Sequence, residues 1–244
     1  MRTWVKCILV ALFAAAFCAG MRFIAFESKE IRDNQTCNRL EVNMMDTLRF
    51  LRENDIRDII SGEYGPVMGQ RTIDVNLDAI ESALSSKDYV TGVETWVTDD
   101  GILHVRLRQR MPEIRIAPVN RNGCYVDNDG RCFPLCEEFE VSVPEIGGII
   151  PDDPHTIRNL LEFVRFSKKT GWEDRYSRIE MDKNGDLSVW LAGMEEQFIL
   201  GNVLDLEDKM SRIDRYIEKI SSENKYSTVS VKYSNQIICR KKGT

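Results

Sequence analysis

Histidine is scarce in this sequence, which has two histidines, His104 and His155, among its 244 residues. The two lie in different predicted elements, and neither a Gly-x-Ser-x-Gly nor a His-Glu-x-x-His motif occurs. Nucleophilic catalysis requires a nucleophile beside a positioned base, and neighbouring glutamates in an acidic chain do not single out a glycosidase pair. The sequence therefore predicts a protein that is not an enzyme and has neither catalytic residues nor a cofactor.

Positive charge is not in excess either, because 33 lysines and arginines face 39 aspartates and glutamates, for a net charge of −6. The charges are spread along the chain, which argues against a nucleic-acid surface. Metal-binding patterns are incomplete as well. Asp127-Asn128-Asp129 lacks the closing glutamate of a calcium loop, and a zinc site formed by Cys132 and Cys136 with Cys124 lacks an obvious fourth ligand. We therefore expect no nucleic acid, no metal and no small-molecule substrate.

Cysteine is present seven times, and two of the seven, Cys7 and Cys18, fall in an N-terminal apolar run. The five others are Cys37, Cys124, Cys132, Cys136 and Cys239. Cys124 and Cys132 flank one predicted hairpin and could form a disulfide across it in an oxidising compartment. Unpaired thiols fit the sequence equally well, so both alternatives stay open.

Long apolar runs are confined to the N-terminus, where residues 7–21 carry no charge. This run fits a signal peptide cleaved near Cys18-Ala19-Gly20, and it fits a membrane anchor over residues 7–26 if Arg22 reaches the interface. We adopt the anchor for the domain assignment. Arg2 and Lys6 favour a cytoplasmic N-terminus, so the rest of the chain is expected in the periplasm.

The first region after the anchor is predicted to fold as strand, helix, helix, strand, strand. Leu40–Met45 alternates as a first strand, and a helix capped by Asn54 or Asp55 follows. Asn76 caps a second helix. A hairpin then turns at Asp99-Asp100-Gly101, whose residues are expected to supply positive φ angles. Two helices on a three-stranded sheet leave an exposed edge strand that another chain could extend.

The second region begins beyond Pro112, which has no N–H for a sheet ladder and marks a seam between two sheets. Val141–Pro144 is expected to be a strand, followed by a break at Gly147-Gly148. Tight turns are predicted at Asn128-Asp129-Gly130 and Asn184-Gly185. The other predicted elements are helices over 155–166 and 206–220, a hairpin over 179–191, and strands over 196–200, 228–233 and 236–240. The fold class is therefore α+β.

Several short motifs follow one another along the chain, namely Val75–Glu81, Gly101–Leu103, Gln109–Pro112 and Tyr125–Asp127 with Gly130. Taken in this order, they resemble the bacterial FtsQ/DivIB family of POTRA-domain proteins. The resemblance covers nearly the whole chain. The domains it implies are a cytoplasmic segment (1–6), a transmembrane anchor (7–26), a linker (27–38), a POTRA-like domain (39–112) and an FtsQ-type β domain with two main helices (113–244).

The resemblance implies a bitopic scaffold of septum formation in the bacterial inner membrane at the division site. Its expected partners are FtsB and FtsL, together with other septal membrane proteins, and it would help to recruit septal peptidoglycan synthesis. In the family, the FtsB contact resembles strand addition near the C-terminus. Carried onto this chain, the expected partner-binding residues are Ser227, Thr228, Val229, Ser230, Val231, Lys232 and Tyr233. An alternative is a POTRA-containing adaptor or chaperone in envelope protein secretion.

Overall fold

The structure, a computed structural model, describes residues 34–220 and 225–243 together with 13, 17, 18, 21 and 22. It divides into two units, Met1–Gln109 and Arg110–Thr244. The predicted cytoplasmic segment (1–6), most of the predicted anchor (7–26) and the first part of the predicted linker (27–33) lie outside the described residues. None of the helices in the described part is long and apolar enough to span a bilayer.

Within residues 34–109, the first unit contains three strands and two α-helices in the predicted order. They are β1 (Arg39–Met44), α1 (Glu53–Ile59), α2 (Leu77–Ser85), β2 (Val90–Val97) and β3 (Ile102–Gln109), and a π-helical turn (Ile60–Tyr64) and a 3-10 turn (Thr72–Asp74) lie between the helices. The sheet order is β1-β3-β2, with β1 parallel and β2 antiparallel to β3. Leu103, Val105 and Leu107 alternate along β3 and are fully buried, which confirms the predicted core face of this strand.

Both helices of the first unit have a polar residue at the N-cap position, but only one of the two N-caps is the predicted residue. Asn76 Oδ1 accepts a hydrogen bond from Ala79 N (3.1 Å), which confirms it as the cap of α2. The prediction that Asn54 or Asp55 caps α1 is wrong, because the helix begins at Glu53 after Arg52. Asp55 lies inside the first turn, where its carboxylate accepts from Arg52 N (2.7 Å).

The β2–β3 turn also differs in detail from the prediction. Gly101 has a φ of +81°, whereas Asp99 and Asp100 do not have positive φ angles. A Cβ on Gly101 would lie 2.5 Å from Thr36 O, so a side chain at this position would meet both strain and backbone. One glycine is therefore enough to close this hairpin.

The second unit is one nine-stranded sheet with two long helices. Its elements are β4 (Pro112–Pro118), β5 (Cys124–Asp127), β6 (Cys132–Pro134), β7 (Glu145–Gly148), α3 (Pro154–Thr170), a 3-10 turn (Glu173–Arg175), β8 (Tyr176–Met181), β9 (Leu187–Leu191), β10 (Gln197–Gly201), α4 (Leu206–Lys219), β11 (Tyr226–Ser230) and β12 (Ile238–Lys241). The strand order is β12-β11-β10-β9-β8-β7-β4-β5-β6. Apolar residues of both helices and of most of the strands form a single buried cluster, which is the core of this unit.

The segment before α3 contradicts the prediction. Val141–Pro144 is not a strand, and the glycines predicted to break the chain belong to β7, which pairs in parallel with β4 and β8. Gly148 has a φ of +96°, and a Cβ there would lie 2.2 Å from Met181 O. The close approach of β8 requires glycine at the end of this interior strand, so the glycine signals a contact and not a break.

Candidate functional site

The predicted partner-binding segment, 227–233, runs through an interior strand and not along an edge. Ser227–Ser230 belongs to β11, and Val231–Tyr233 follows it. On one side β11 pairs in parallel with β10, and on the other it pairs antiparallel with β12. Val231 N also donates to Ile199 O (2.9 Å). The segment is therefore not an edge strand, because the backbone of β11 is already paired on both sides within the unit. Partner binding by residues 227–233 stays a prediction.

The edge of the sheet next to this segment is β12, which has one strand neighbour, β11, in the part of the chain that the structure describes. Along β12, Ile238, Arg240 and Lys241 are exposed and Cys239 is half-buried. Ile238 keeps 47% of its surface in solvent, which is unusual for a large aliphatic residue in a strand. An end strand with an exposed aliphatic residue and two cations is suited to pairing with another chain.

Hydrogen bonds at the end of β12 indicate which backbone groups face outward. Lys242 N donates to Lys225 O (3.0 Å), and Arg240 O accepts from Ser227 Oγ (3.3 Å), so both residues direct backbone groups towards the β11 side. Successive residues of an antiparallel strand direct these groups to opposite sides. Cys239 is therefore expected to present its N–H and C=O groups at the outer edge, and Lys241 its N–H, since Lys241 O accepts from Ser227 Oγ (3.5 Å).

The loop that joins β11 to β12 is held by Arg212 from α4. Its Nη1 donates to Tyr233 O (2.5 Å) and to Gln236 O (2.8 Å), and its Nη2 pairs with Asp208 (2.9 Å). The Arg212 side chain is buried, so these charge-assisted bonds are shielded from water. Between the two carbonyls the chain turns through Asn235, whose φ is +59°. The helix predicted over 206–220 thus supports the edge, and the sequence pattern contains no signal for this role of Arg212.

Side chains of the predicted segment differ in what they offer to a partner. Val229 and Val231 are fully buried in the core, whereas Tyr233 is 53% exposed. Lys232 Nζ donates to Asp186 Oδ2 (2.5 Å), and this bond raises the pKa of Lys232. Asp186 immediately precedes β9, so this ion pair links the start of β9 to the residues that follow β11. Of the three predicted residues after β11, namely Val231, Lys232 and Tyr233, Tyr233 has the most exposed side chain.

Tyr216 supports the same edge from beneath. Its ring packs edge-on against Phe198 of β10 and Tyr226 of β11, with ring centroids 5.8 and 6.3 Å apart. Its hydroxyl donates to Glu196 Oε1 (3.3 Å), and burial raises the pKa of Tyr216. Aromatic packing of this kind gives the outer strands a rigid base.

A second surface lies beside β1 in the first unit. A cleft of about 660 Å³ runs between this edge strand and the π-helical turn after α1, and Arg39, Glu41, Arg57, Ile60 and Val67 contribute to its lining. β1 pairs with β3 on its other side. Ile60 and Val67 form an apolar floor, and the charged residues lie around it. This is the edge at which the first unit could accept a partner segment.

The motif residues Arg110 and Asp127 form a buried ion pair at the start of the second unit. Both side chains are 8% exposed, and the Arg110 guanidinium also lies over the Phe133 ring, 5.9 Å from its centroid. Asp127 Oδ1 accepts from Asp129 N (3.0 Å) and Arg131 N (2.9 Å). The turn interpretation of this acidic segment is therefore confirmed, since the carboxylate holds the backbone of the hairpin.

Among the described residues, no group of three or more histidine, cysteine or acidic side chains could hold a metal ion. His104 stacks on Trp96, with ring centroids 5.0 Å apart, and its Nδ1 is 3.6 Å from Glu41 Oε2. His155 lies on α3, where its Nδ1 is 3.1 Å from Asn159 Nδ2. The two histidines thus belong to separate units.

Comparison with known families gives two matches that divide the chain in the same order. A family model described as FtsQ/DivIB, C-terminal related, matches residues 111–240, which is more than half of the chain. A POTRA-like domain model matches residues 35–108. No match was found among curated proteins. The POTRA-like match confirms the predicted character of the first domain and fits the mixed α and β content.

Proposed function

This chain belongs to the FtsQ/DivIB family, and from that membership we propose that it is a bitopic scaffold protein of bacterial septum formation. The observation that carries the proposal is the family match over residues 111–240, the unit that contains the β12 edge. The family resemblance implies a scaffold without enzymatic activity. The chain would act by holding other division proteins at the septum and would catalyse no reaction itself.

The proposed partners are FtsB and FtsL, and the proposed contact is strand addition to β12. An incoming strand would extend the nine-stranded sheet beyond Ile238–Lys241 and use the outward groups of Cys239 and Lys241. The segment 227–233 remains part of the proposed site, because β11 is the strand against which β12 pairs. Tyr233 lies at the exposed end of this segment. Bound in this way, the partner would help to bring septal peptidoglycan synthesis to the division site.

Charge at the edge gives the proposed partner a chemical character. Arg240 and Lys241 are exposed, and Lys242 forms an ion pair with Glu195 (2.7 Å). An acidic strand would complement the two exposed cations and would associate faster at low ionic strength. The proposed complex is therefore expected to weaken as salt is raised, because exposed charge pairs are screened.

The proposed location is the inner membrane, with an anchor over residues 7–26, the N-terminus in the cytoplasm and both folded units in the periplasm. The cleft beside β1 is the second proposed surface, for other septal membrane proteins. Both parts of this proposal follow from the family resemblance and from the charge pattern of the N-terminus.

Co-purification with FtsB and FtsL tests the contact. Ile238→Asp should reduce recovery of the pair strongly, because it places a carboxylate in the centre of the new strand pair. Val119→Asp is the matched control, since Val119 is a more exposed aliphatic residue of the same unit (76%) and lies outside the proposed edge. Equal recovery of the pair by both variants and by the unaltered chain would rule out β12 as the docking strand.

A fluorescent fusion to the N-terminus separates the proposal from its alternative, an adaptor or chaperone of envelope protein secretion, which the POTRA-like match also permits. Accumulation at mid-cell, with filamentation when the protein is depleted, is expected for the division scaffold. A uniform signal with normal division on depletion would favour secretion.

A further inference from the structure

The β5–β6 hairpin brings two cysteines together at the edge of the sheet opposite β12. In its register Cys124 pairs with Pro134 and Val126 with Cys132. Alternate residues of a strand lie on the same face, so Cys124 and Cys132 share one face of the hairpin and are diagonal neighbours. The two thiols are in hydrogen-bond contact with each other. Cys132 is exposed and Cys124 is half-buried.

The surroundings of the pair make the two thiols chemically unequal. Arg121, which is held by Asp152 (2.7 Å), places positive charge near both sulfur atoms. The hydrogen bond from Cys124, followed by the charge of Arg121, lowers the pKa of Cys132 to about 7 against the opposing effect of its partial burial. The same hydrogen bond and burial raise the pKa of Cys124. The exposed thiol is thus the nucleophile, and the half-buried one is its proton donor.

We propose that Cys124 and Cys132 form a dithiol–disulfide site that is oxidised by exchange with another disulfide, either glutathione disulfide or that of an oxidoreductase. Cys132 thiolate attacks a sulfur of the oxidant, which forms a mixed disulfide and releases one thiolate. Cys124 then attacks the Cys132 sulfur, releases the second thiolate and closes the intramolecular bond. Two thiols lose two electrons and two protons, and the oxidant is reduced to two thiols.

The position of the hairpin permits closure. β6 has three residues and, within the described chain, one strand neighbour, β5, so it can approach β5 without displacing another strand. Diagonal neighbours lie slightly farther apart than an unstrained disulfide needs, and a small shift of β6 supplies the difference. The bond would fix an edge strand that is otherwise held by a few hydrogen bonds.

Mass spectrometry of the full chain tests the connectivity. The purified protein is treated with glutathione disulfide, its remaining thiols are alkylated, and it is digested with trypsin. Cleavage after Arg121, Arg131 and Arg158 should yield peptide 122–131 linked to peptide 132–158. Because the second peptide also contains Cys136, the same digest is made with Cys136→Ser, where the link must persist. A link that requires Cys136, links between chains, or two fully alkylated peptides would overturn the proposal.

Alkylation kinetics test the assigned roles. Iodoacetamide should modify Cys132 with a midpoint near pH 7, several-fold faster at that pH than Cys239, whose pKa is raised by burial. Arg121→Gln should move the midpoint of Cys132 upward, whereas Arg215→Gln, a change at an exposed arginine of α4, should leave it in place. Identical midpoints in both variants, or equal rates for Cys132 and Cys239, would contradict the nucleophile assignment.

Discussion

At the scale of single residues, Asp127 serves both an ion pair and a turn. One of its oxygens pairs with buried Arg110, and the other accepts two backbone N–H groups of the β5–β6 turn. Truncation of one partner of a buried pair leaves the other charge without compensation, which is costly. Asp127 therefore contributes more to the stability of the second unit than its position beside the polar turn Asn128-Asp129-Gly130 would suggest.

Replacing Asp127 by alanine should lower the free energy of unfolding of the second unit by about 3–5 kcal/mol, because Arg110 would stay buried without its counter-ion. Urea denaturation followed by tryptophan fluorescence measures the change. Asp129→Ala is the matched control, since this exposed residue of the same turn uses its backbone N–H and not its side chain in the bond to Asp127. Midpoints that agree for both variants would refute the assignment.

Asp153 gives the α3 helix a pH-sensitive start. Hydrogen bonds from the Thr156 hydroxyl (2.6 Å) and then from Thr156 N (2.8 Å) lower its pKa below the ordinary value of 3.8. A carboxyl whose pKa is lower in the folded state stabilises it above the unfolded pKa, and this contribution disappears as the pH falls through the folded pKa. Stability should therefore decline below about pH 4.

Thermal unfolding between pH 7 and pH 2 measures this effect. Asp153→Asn should show a smaller acid-induced fall in melting temperature than the unaltered chain, because the amide cannot be protonated in this range yet can still accept the cap bond. Asp153→Ala should start from a lower melting temperature at pH 7, since it removes the cap itself. Parallel curves for all three proteins would show that the cap contributes nothing.

At the scale of elements, a proline directly after β11 and a proline in β12 should have different effects. Val231→Pro should destabilise the second unit by about 1–3 kcal/mol, because it leaves Ile199 O without its donor inside the sheet. Lys241→Pro removes an N–H that is expected to face outward and should reduce partner recovery with a smaller loss of stability. Denaturation midpoints combined with co-purification separate the two effects. Loss of stability of the same size in both variants would contradict the edge assignment.

Sequence patterns predicted most of these elements because their signals are local. Alternation along β3, the Asn76 cap and the Asn184-Gly185 turn, whose Gly185 has a φ of +79°, each depend on neighbouring residues. The position of a strand within a sheet does not. β11 alternates like an edge strand, yet β12 covers it, and the glycines of β7 resemble a break until β8 is beside them. Long-range pairing decides both cases, and a single sequence carries no local signal for it.

The candidate site also contains residues that the sequence indicates and residues that only the long-range packing reveals. The segment 227–233 was found by resemblance, but the residues that shape the edge are Arg212, which holds the connecting loop, and Ile238, which is exposed on β12. Arg212 lies in the helix predicted over 206–220, and the spacing of the apolar residues there indicates a buried face but not the hydrogen bonds that Arg212 makes. The contact between Cys124 and Cys132 likewise needed the register of the hairpin.

At the scale of the whole molecule, the boundary between the units falls between Gln109 and Arg110. Both residues are buried, and the side chain of each bonds to residues of its own unit. The Gln109 side chain donates to Asp46 Oδ1 (3.0 Å) and Leu48 O (2.7 Å) and accepts from Leu51 N (2.8 Å) within the first unit. Arg110 pairs with Asp127 in the second. Each unit also has its own buried apolar cluster. Each is therefore equipped to fold alone.

Separate expression of residues 34–109 and 110–243 should give two fragments that each unfold cooperatively in urea. Fragment 110–243 should retain the proposed binding of FtsB and FtsL, because β12 belongs to it. Circular dichroism and co-purification measure the two properties. A fragment that fails to show a cooperative transition would mean that its core depends on the other unit, and binding by fragment 34–109 alone would move the partner site to the cleft beside β1.

The parallel pairing of β1 with β3 has a consequence for the order in which this sheet assembles as the chain emerges. β1 is the first of the described strands, but its partner lies about sixty residues further along the chain. The β2–β3 hairpin is local and can close as soon as it emerges, whereas β1 must wait for it with its backbone unpaired. β1 is thus the last strand to join its sheet, and during that interval its open backbone is a place where holdase chaperones could bind.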